Sequence, residues 1–217
     1  MTKLQLIELC CPVCDNHLRS RAGAAAESPA GKRTDLHEQS LGTEPLPCLV
    51  HMCDRCGFSG AERDFTEGTE LSAMVIDHVW NELAPFVANN SGAASEKYEA
   101  AAKVAEWRGA DPRHAAHLWL RAAWCCVDEG DVEAERFFRR KAARRLEAAL
   151  FAFDDVPRED RALLAYLTGA LWRRIGDLRQ ARAWFDHVPR EVIDVESQQW
   201  VIDAARQQRD CSRDWLG

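Results

Sequence analysis

Two cysteine pairs constrain this chain more than any other feature: Cys11-Pro12-Val13-Cys14 and Cys53-Asp54-Arg55-Cys56, with 38 residues (Asp15 to Met52) between them. A Cys-x-x-Cys turn points both sulfurs at one centre. Two such turns in a short segment can close a tetrahedral thiolate cage of the kind Zn²⁺ favours. Gly57, directly after the second pair, suits the positive φ that ends such a turn. Residues 1–66 are too few to hold together easily by burial alone, and metal ligation contributes on the order of 10 kcal/mol. Cys11, Cys14, Cys53 and Cys56 are therefore the predicted ligands of one structural Zn²⁺ per chain. Four sulfur ligands leave no open position for water or substrate, which points away from metal catalysis. Two alternatives use the same residues: iron in a rubredoxin-like site, and a redox dithiol. The dithiol needs a helix N-terminus to lower its thiol pKa, and Asp15 to Gly31 does not read as a helix.

The remaining cysteines and histidines are weaker candidates. Cys10 breaks the x-x spacing and reads as a buried thiol, and Cys48 as a possible competing ligand. Cys125 and Cys126 are adjacent on a helix, point in different directions and read as core thiols. Of His17, His37 and His51, the last is expected to face out of its strand. The nine cysteines, with no secretory signal visible at Met1 to Cys11, fit a reducing cytoplasm better than a disulfide framework. The longest uncharged apolar stretch, Ala162 to Trp172, is too short to span a bilayer.

The order of patterns along the chain gives a mainly α protein: a small β zinc ribbon over 1–66 and tetratricopeptide-like α-helical hairpin repeats over 67–217. Lys3 to Leu9 and Leu49 to Met52 read as strands leading into the two knuckles. Residues 20–34 show little periodicity and read as a mobile loop, the other reading being an additional strand pair. From 67 to 110 the pattern is helical. Leu71, Val75, His78, Val79, Glu82 and Phe86 follow a helix period with Pro85 near its end, Asn89 to Gly92 is a break, and Ser95 to Arg108 is a second helix. Asp111-Pro112 then reads as an N-cap followed by a first-turn proline.

An internal repeat follows, with hairpins over about 112–153 and 157–189. Each is an apolar helix, a Gly-Asp pair (Gly130-Asp131, Gly176-Asp177), and a second helix carrying paired aromatics (Phe137-Phe138, Trp184-Phe185). Glycine ends the first helix and aspartate caps the second. Gly169, Trp172, Gly176, Ala181 and Phe185 fit the repeat pattern. The first copy departs from it at Glu135 and Arg139, where small and aromatic residues are expected. The helices at 70–108 and 196–215 are expected to cap the stack.

The knuckles and the tail together resemble a known group. Cys11-Pro12-Val13-Cys14, Gly42-Thr43-Glu44-Pro45-Leu46, Cys53-Asp54-Arg55-Cys56-Gly57-Phe58, Asp64-Phe65 and the helical region occur in the order seen in the bacterial family called domain of unknown function 2225. Asp15 stands where that family often has glycine, and Cys48 where an aromatic is common. The resemblance implies a fold and no function.

The net charge of −7 and pI near 5.5 disfavour a nucleic-acid backbone as the default partner. One segment, 132–153, is basic, with six Lys/Arg against three Glu. Arg136, Arg140 and Arg144 share a helical face there and are the candidate contact for an anionic partner; a solvated, ion-paired face is the simpler reading. No phosphate-cradling loop, nucleophile elbow or His-Glu-x-x-His pattern is present. The sequence thus points to a non-enzymatic zinc-binding interaction or scaffold protein with a protein or peptide partner on the helical repeats. A nucleic-acid-associated ribbon using helix 136–145 is the alternative.

Overall fold

The computed structural model describes residues 4–23, 29–40, 45–66, 68–89, 92–151, 156–211 and 215. Among the described residues, six short strands form three separate antiparallel pairs: β1 (Gln5–Cys10) with β2 (His17–Ala22), β3 (Pro29–Lys32) with β4 (Glu38–Ser40), and β5 (His51–Met52) with β6 (Ser59–Gly60). The helices follow: α1 (Ala73–His78), α2 (Ala84–Ala88), α3 (Ala94–Trp107), α4 (Pro112–Glu129), α5 (Val132–Phe151), α6 (Arg158–Ile175), α7 (Leu178–Glu191) and α8 (Val195–Asp210). The chain is thus mainly helical with a small N-terminal β region, as expected.

The first and third strand pairs are hairpins whose tips are the cysteine knuckles. In register, Cys10 faces His17 and Met52 faces Ser59, the equivalent position in each hairpin. The reading of 20–34 as a loop is corrected. Residues 20–22 belong to β2, which keeps one apolar side chain inward (Leu18) while Arg19 and Arg21 stay out of the core. Residues 29–32 begin the β3–β4 hairpin, so the strand-pair reading holds. Its charged composition hides the pattern because it is anchored by polar contacts instead of apolar ones. Residues 24–28 and 41–44 lie outside the described residues.

Between α1 and α2, Val79–Leu83 forms a π-helical turn in which the Ala84 N–H donates to the Val79 carbonyl, five residues back. Pro85 follows at once. It has no N–H to continue the ordinary ladder, and its ring crowds the preceding turn. Pro85 lies near the helix end, as the sequence predicts, and the helix is adjusted there before it stops at Ala88.

The Gly-Asp turns behave as the sequence predicts. Gly130 (φ 76°) and Gly176 (φ 98°) end α4 and α6 in the left-handed region. Asp131 and Asp177 then accept from the Ala134 and Gln180 N–H groups at 2.9 and 3.0 Å. Within the second hairpin Gly169 lets the helices approach: a Cβ there would stand 2.7 Å from the Phe185 ring. α3 packs on α4, and α8 packs on α6 and α7.

Two apolar clusters result. One runs through α3 to α8. The other contains Leu9, Leu18 and Phe58 from the ribbon together with Val75, Val79, Leu83 and Val104 from the helices. Polar contacts tighten the same junction. Ser59 Oγ donates to the Lys97 carbonyl at 2.8 Å, Tyr98 Oη to the Leu46 carbonyl at 2.9 Å, and Arg108 pairs with Asp64 at 3.0 Å.

Candidate metal centre

Both knuckles are built by the same backbone pattern. Cys11 N–H donates to the Asn16 carbonyl and Asp15 N–H to the Cys11 carbonyl, each at 2.9 Å. Cys53 N–H donates to Phe58 at 2.8 Å and Gly57 N–H to Cys53 at 2.9 Å. The turn requires a left-handed residue at its end, and Asp15 (φ 53°) and Gly57 (φ 78°) occupy that position. Aspartate tolerates it better than most residues, and Asp15 is solvent-exposed. Gly57 has no such freedom, because a Cβ would lie 2.6 Å from the Leu83 carbonyl oxygen. The second knuckle is thereby seated directly on the π-helical turn.

The hairpins bring the four sulfurs of Cys11, Cys14, Cys53 and Cys56 within 4.8 Å of one another. Cys11–Cys56 and Cys14–Cys53 are each 3.6 Å apart. A tetrahedral centre with metal–sulfur bonds of about 2.3 Å places its sulfurs about 3.8 Å apart, so the cage fits such an ion. Cys11, Cys53 and Cys56 are fully buried. Asn16 Nδ2 lies 3.7 Å from Cys53 Sγ and 2.7 Å from Asp54 Oδ1, tying one knuckle to the other. Without a cation the crowded thiols cannot ionise together. Hydrogen bonds from Cys11 and Cys56 favour the Cys53 thiolate, and the Cys11 thiol, hydrogen-bonded to Cys53, is pushed up to about 12. The four cysteines could hold a metal ion as thiolates, with one dication offsetting their mutual repulsion.

The other candidates lie elsewhere. Cys10 is half-buried, not buried as expected, and together with Cys48 it stands outside the cage. His51 is buried instead of facing outward, with Nδ1 2.7 Å from Ser20 Oγ of β2 and its ring edge-on to Phe65, because these two elements cover that face of β5. Cys125 and Cys126 are buried core thiols, and burial pushes Cys126 up to about 12. His17 and His37 are also outside the cage.

In α5 the basic residues divide. Arg136, Arg140 and Arg144 are exposed. Lys141 sits over the Trp119 and Phe137 rings, and Arg145 pairs with Glu106 at 2.7 Å. Arg139 is fully buried, in contact with Glu135 at 2.8 Å and with Asp35 of the β3–β4 turn at 2.6 Å. This explains the two departures from the repeat pattern: Glu135 and Arg139 serve a buried ion pair that sequence reasoning missed. Asp35 gave no signal, since its partner is 104 residues away.

A small β region with a four-cysteine cluster, seated on packed helical hairpins, is the class this geometry defines. The chain belongs to the family described as "Uncharacterized protein conserved in bacteria (DUF2225)", whose model matches residues 6–212. No curated protein matches the chain, and no solved structure does. Among the described residues, no helix is long and apolar enough to cross a membrane.

Proposed function

We propose that this is a non-enzymatic zinc-binding interaction or scaffold protein, in which one structural Zn²⁺ holds the ribbon and tetratricopeptide-like hairpins carry a protein or peptide partner. The carrying observation is the cage. Its four sulfurs lie within 4.8 Å of one another, close enough for one tetrahedral ion, three of the cysteines are fully buried, and Gly57 presses the knuckle against Leu83. A metal so placed acts on the fold and not on a substrate. Exposed apolar side chains on the helices, among them Phe137, Leu178 and Trp200, offer contact area of the kind partners cover. The test is affinity capture with the metal-loaded protein, followed by mass spectrometry and reciprocal capture. A specific partner lost on mutation of helical surface residues supports the reading, and its absence from folded, metal-loaded bait refutes it.

A second reading rests on the exposed face of Arg136, Arg140 and Arg144, for which no ion pair is found among the described residues. Such a face suits an anionic partner, nucleic acid included. A gel shift abolished by charge reversal at all three supports it. A shift that survives reversal unchanged removes this face from the contact.

A further inference from the structure

The tip of the β3–β4 hairpin does not lie on the surface. Thr34 and Asp35 are buried, and Asp35 is completely so. The Asp35 carboxylate lies 2.6 Å from Arg139 of α5, 3.7 Å from Arg33 and 3.8 Å from Arg174 of α6, and it accepts the Trp124 indole N–H of α4 at 3.1 Å. Tyr166 Oη donates to the neighbouring Thr34 carbonyl at 2.8 Å, and His37 stacks on Trp124 with ring centroids 4.4 Å apart. The tip therefore occupies a cleft between α4 and α6 with Arg139 as its floor. Burial alone would raise the Asp35 carboxyl, and the three guanidiniums outweigh it and hold the group below the usual range.

Three features make this arrangement look like an occupied binding site and not only a packed core. First, the polar complement is incomplete: among the described residues, buried Arg139 Nη2 and Asp35 Oδ1 have no hydrogen-bond partner. Second, Leu36, next to the carboxylate, is held at φ 66°, a conformation that a branched apolar residue adopts only when its surroundings impose it. Third, Leu36 lines a partly open hollow of about 340 Å³, together with His117, Leu163, Leu164 and Leu167 and the charged Asp111, Arg113 and Asp160.

We propose that the cleft between α4 and α6 is a carboxylate-recognition site for a protein segment bearing an aspartate in a tight turn followed by a large apolar residue, and that the chain's own Asp35 hairpin holds it in the absence of that partner. The inference deepens the partner reading above and rests on it. The arginines and the Trp124 N–H recognise the carboxylate, Tyr166 recognises the turn carbonyl, and the hollow takes an apolar side chain larger than leucine. Opening the hairpin relieves Leu36, so exchange of one acidic turn for another replaces a strained ligand with an unstrained one.

The test uses the full metal-loaded chain and a labelled, end-blocked peptide of residues 29–40. Binding by fluorescence anisotropy should be at least tenfold tighter to Asp35→Asn than to the wild type, whose own hairpin competes. A peptide with Asn at the Asp35 position should bind Asp35→Asn at least tenfold more weakly, and one with Phe at the Leu36 position more tightly. Equal binding to the two proteins, or no dependence on the peptide carboxylate, overturns the proposal. Hydrogen exchange on the wild type is independent of any variant's folding. The Arg33 and Leu36 amides, bonded to the His37 and Arg33 carbonyls, should exchange at least a hundredfold faster than the slowest amides of α4 and α6. Exchange at the same rate as those helices means that the tip opens only with global unfolding, and overturns the proposal. A wild-type dimer that dissociates on Asp35→Asn would assign the cleft to a second copy's hairpin and overturn the peptide partner. A partner captured on the helices while the hairpin stays closed removes the cleft assignment alone and leaves the scaffold reading standing.

Discussion

Replacing Gly57 by alanine tests how the cysteine ribbon is joined to the helices. The new Cβ would stand 2.6 Å from the Leu83 carbonyl oxygen and 2.8 Å from Leu83 Cβ, distances that force backbone to move. Gly57 also has φ 78°, where an ordinary L residue costs about 1–2 kcal/mol. Overpacking of a close contact costs about 1–3 kcal/mol, so the two effects together give about 2–5 kcal/mol. Asp15 supplies the internal control. It holds the same place in the same turn at φ 53°, but its side chain points into solvent, so Asp15→Ala should stay within about 1 kcal/mol of the wild type. Urea unfolding of the metal-loaded proteins, followed by far-UV circular dichroism, reads both. The signal comes from the helices, so the Gly57→Ala loss should appear there although the mutated turn is not helical. If the two variants unfold within about 0.5 kcal/mol of each other, the contact between the knuckle and the π-helical turn is not a stabilising one and the argument fails.

Three further expectations follow from the same geometry. Cys53→Ser should abolish binding of one zinc per chain by elemental analysis and expose residues 1–66 to limited proteolysis; a freshly purified wild type without zinc would refute the assignment. Arg139→Met leaves a buried carboxylate with the Trp124 N–H and the more distant Arg33 and Arg174 but without its closest cation, so it should cost about 3 kcal/mol, near the low end for breaking a buried pair, and Asp35→Leu combined with it should recover part of that loss in a double-mutant cycle. Burial holds the His37 pKa below its ordinary 6.5. Between pH 6.5 and that lowered value the unfolded chain binds the extra proton, so the stability contribution is present above pH 6.5 and lost as pH falls, by up to about 1.4 kcal/mol per pH unit. His37→Phe, which keeps a ring on Trp124, should show a shallower acid dependence than the wild type in urea midpoints measured across that range, and identical slopes would exclude His37 as the source.

What could be read from the sequence was what rests on neighbours along the chain. The Cys-x-x-Cys turns, the Gly-Asp turns and the Asp111-Pro112 cap each depend on a few consecutive residues whose φ values and side-chain acceptors follow from residue type. The four-cysteine cluster, the turns that end α4 and α6, and the mainly α class were therefore legible. His51 was misread because strand alternation alone does not say which face another element will cover. The hairpin at 29–40 ranks below a loop in the sequence because its anchor is not an apolar stripe but a carboxylate.

The sequence by itself determined a four-cysteine ribbon followed by helical hairpins, because local turn geometry and capping leave few other outcomes for those residues. Only the tertiary structure decided that Gly57 bears on Leu83, that Arg139 is a buried cation and not part of a solvated face, and that Asp35 reaches it across 104 residues. Those contacts depend on which surfaces meet when burial and charge neutralisation are satisfied together, and no spacing along the chain encodes that meeting.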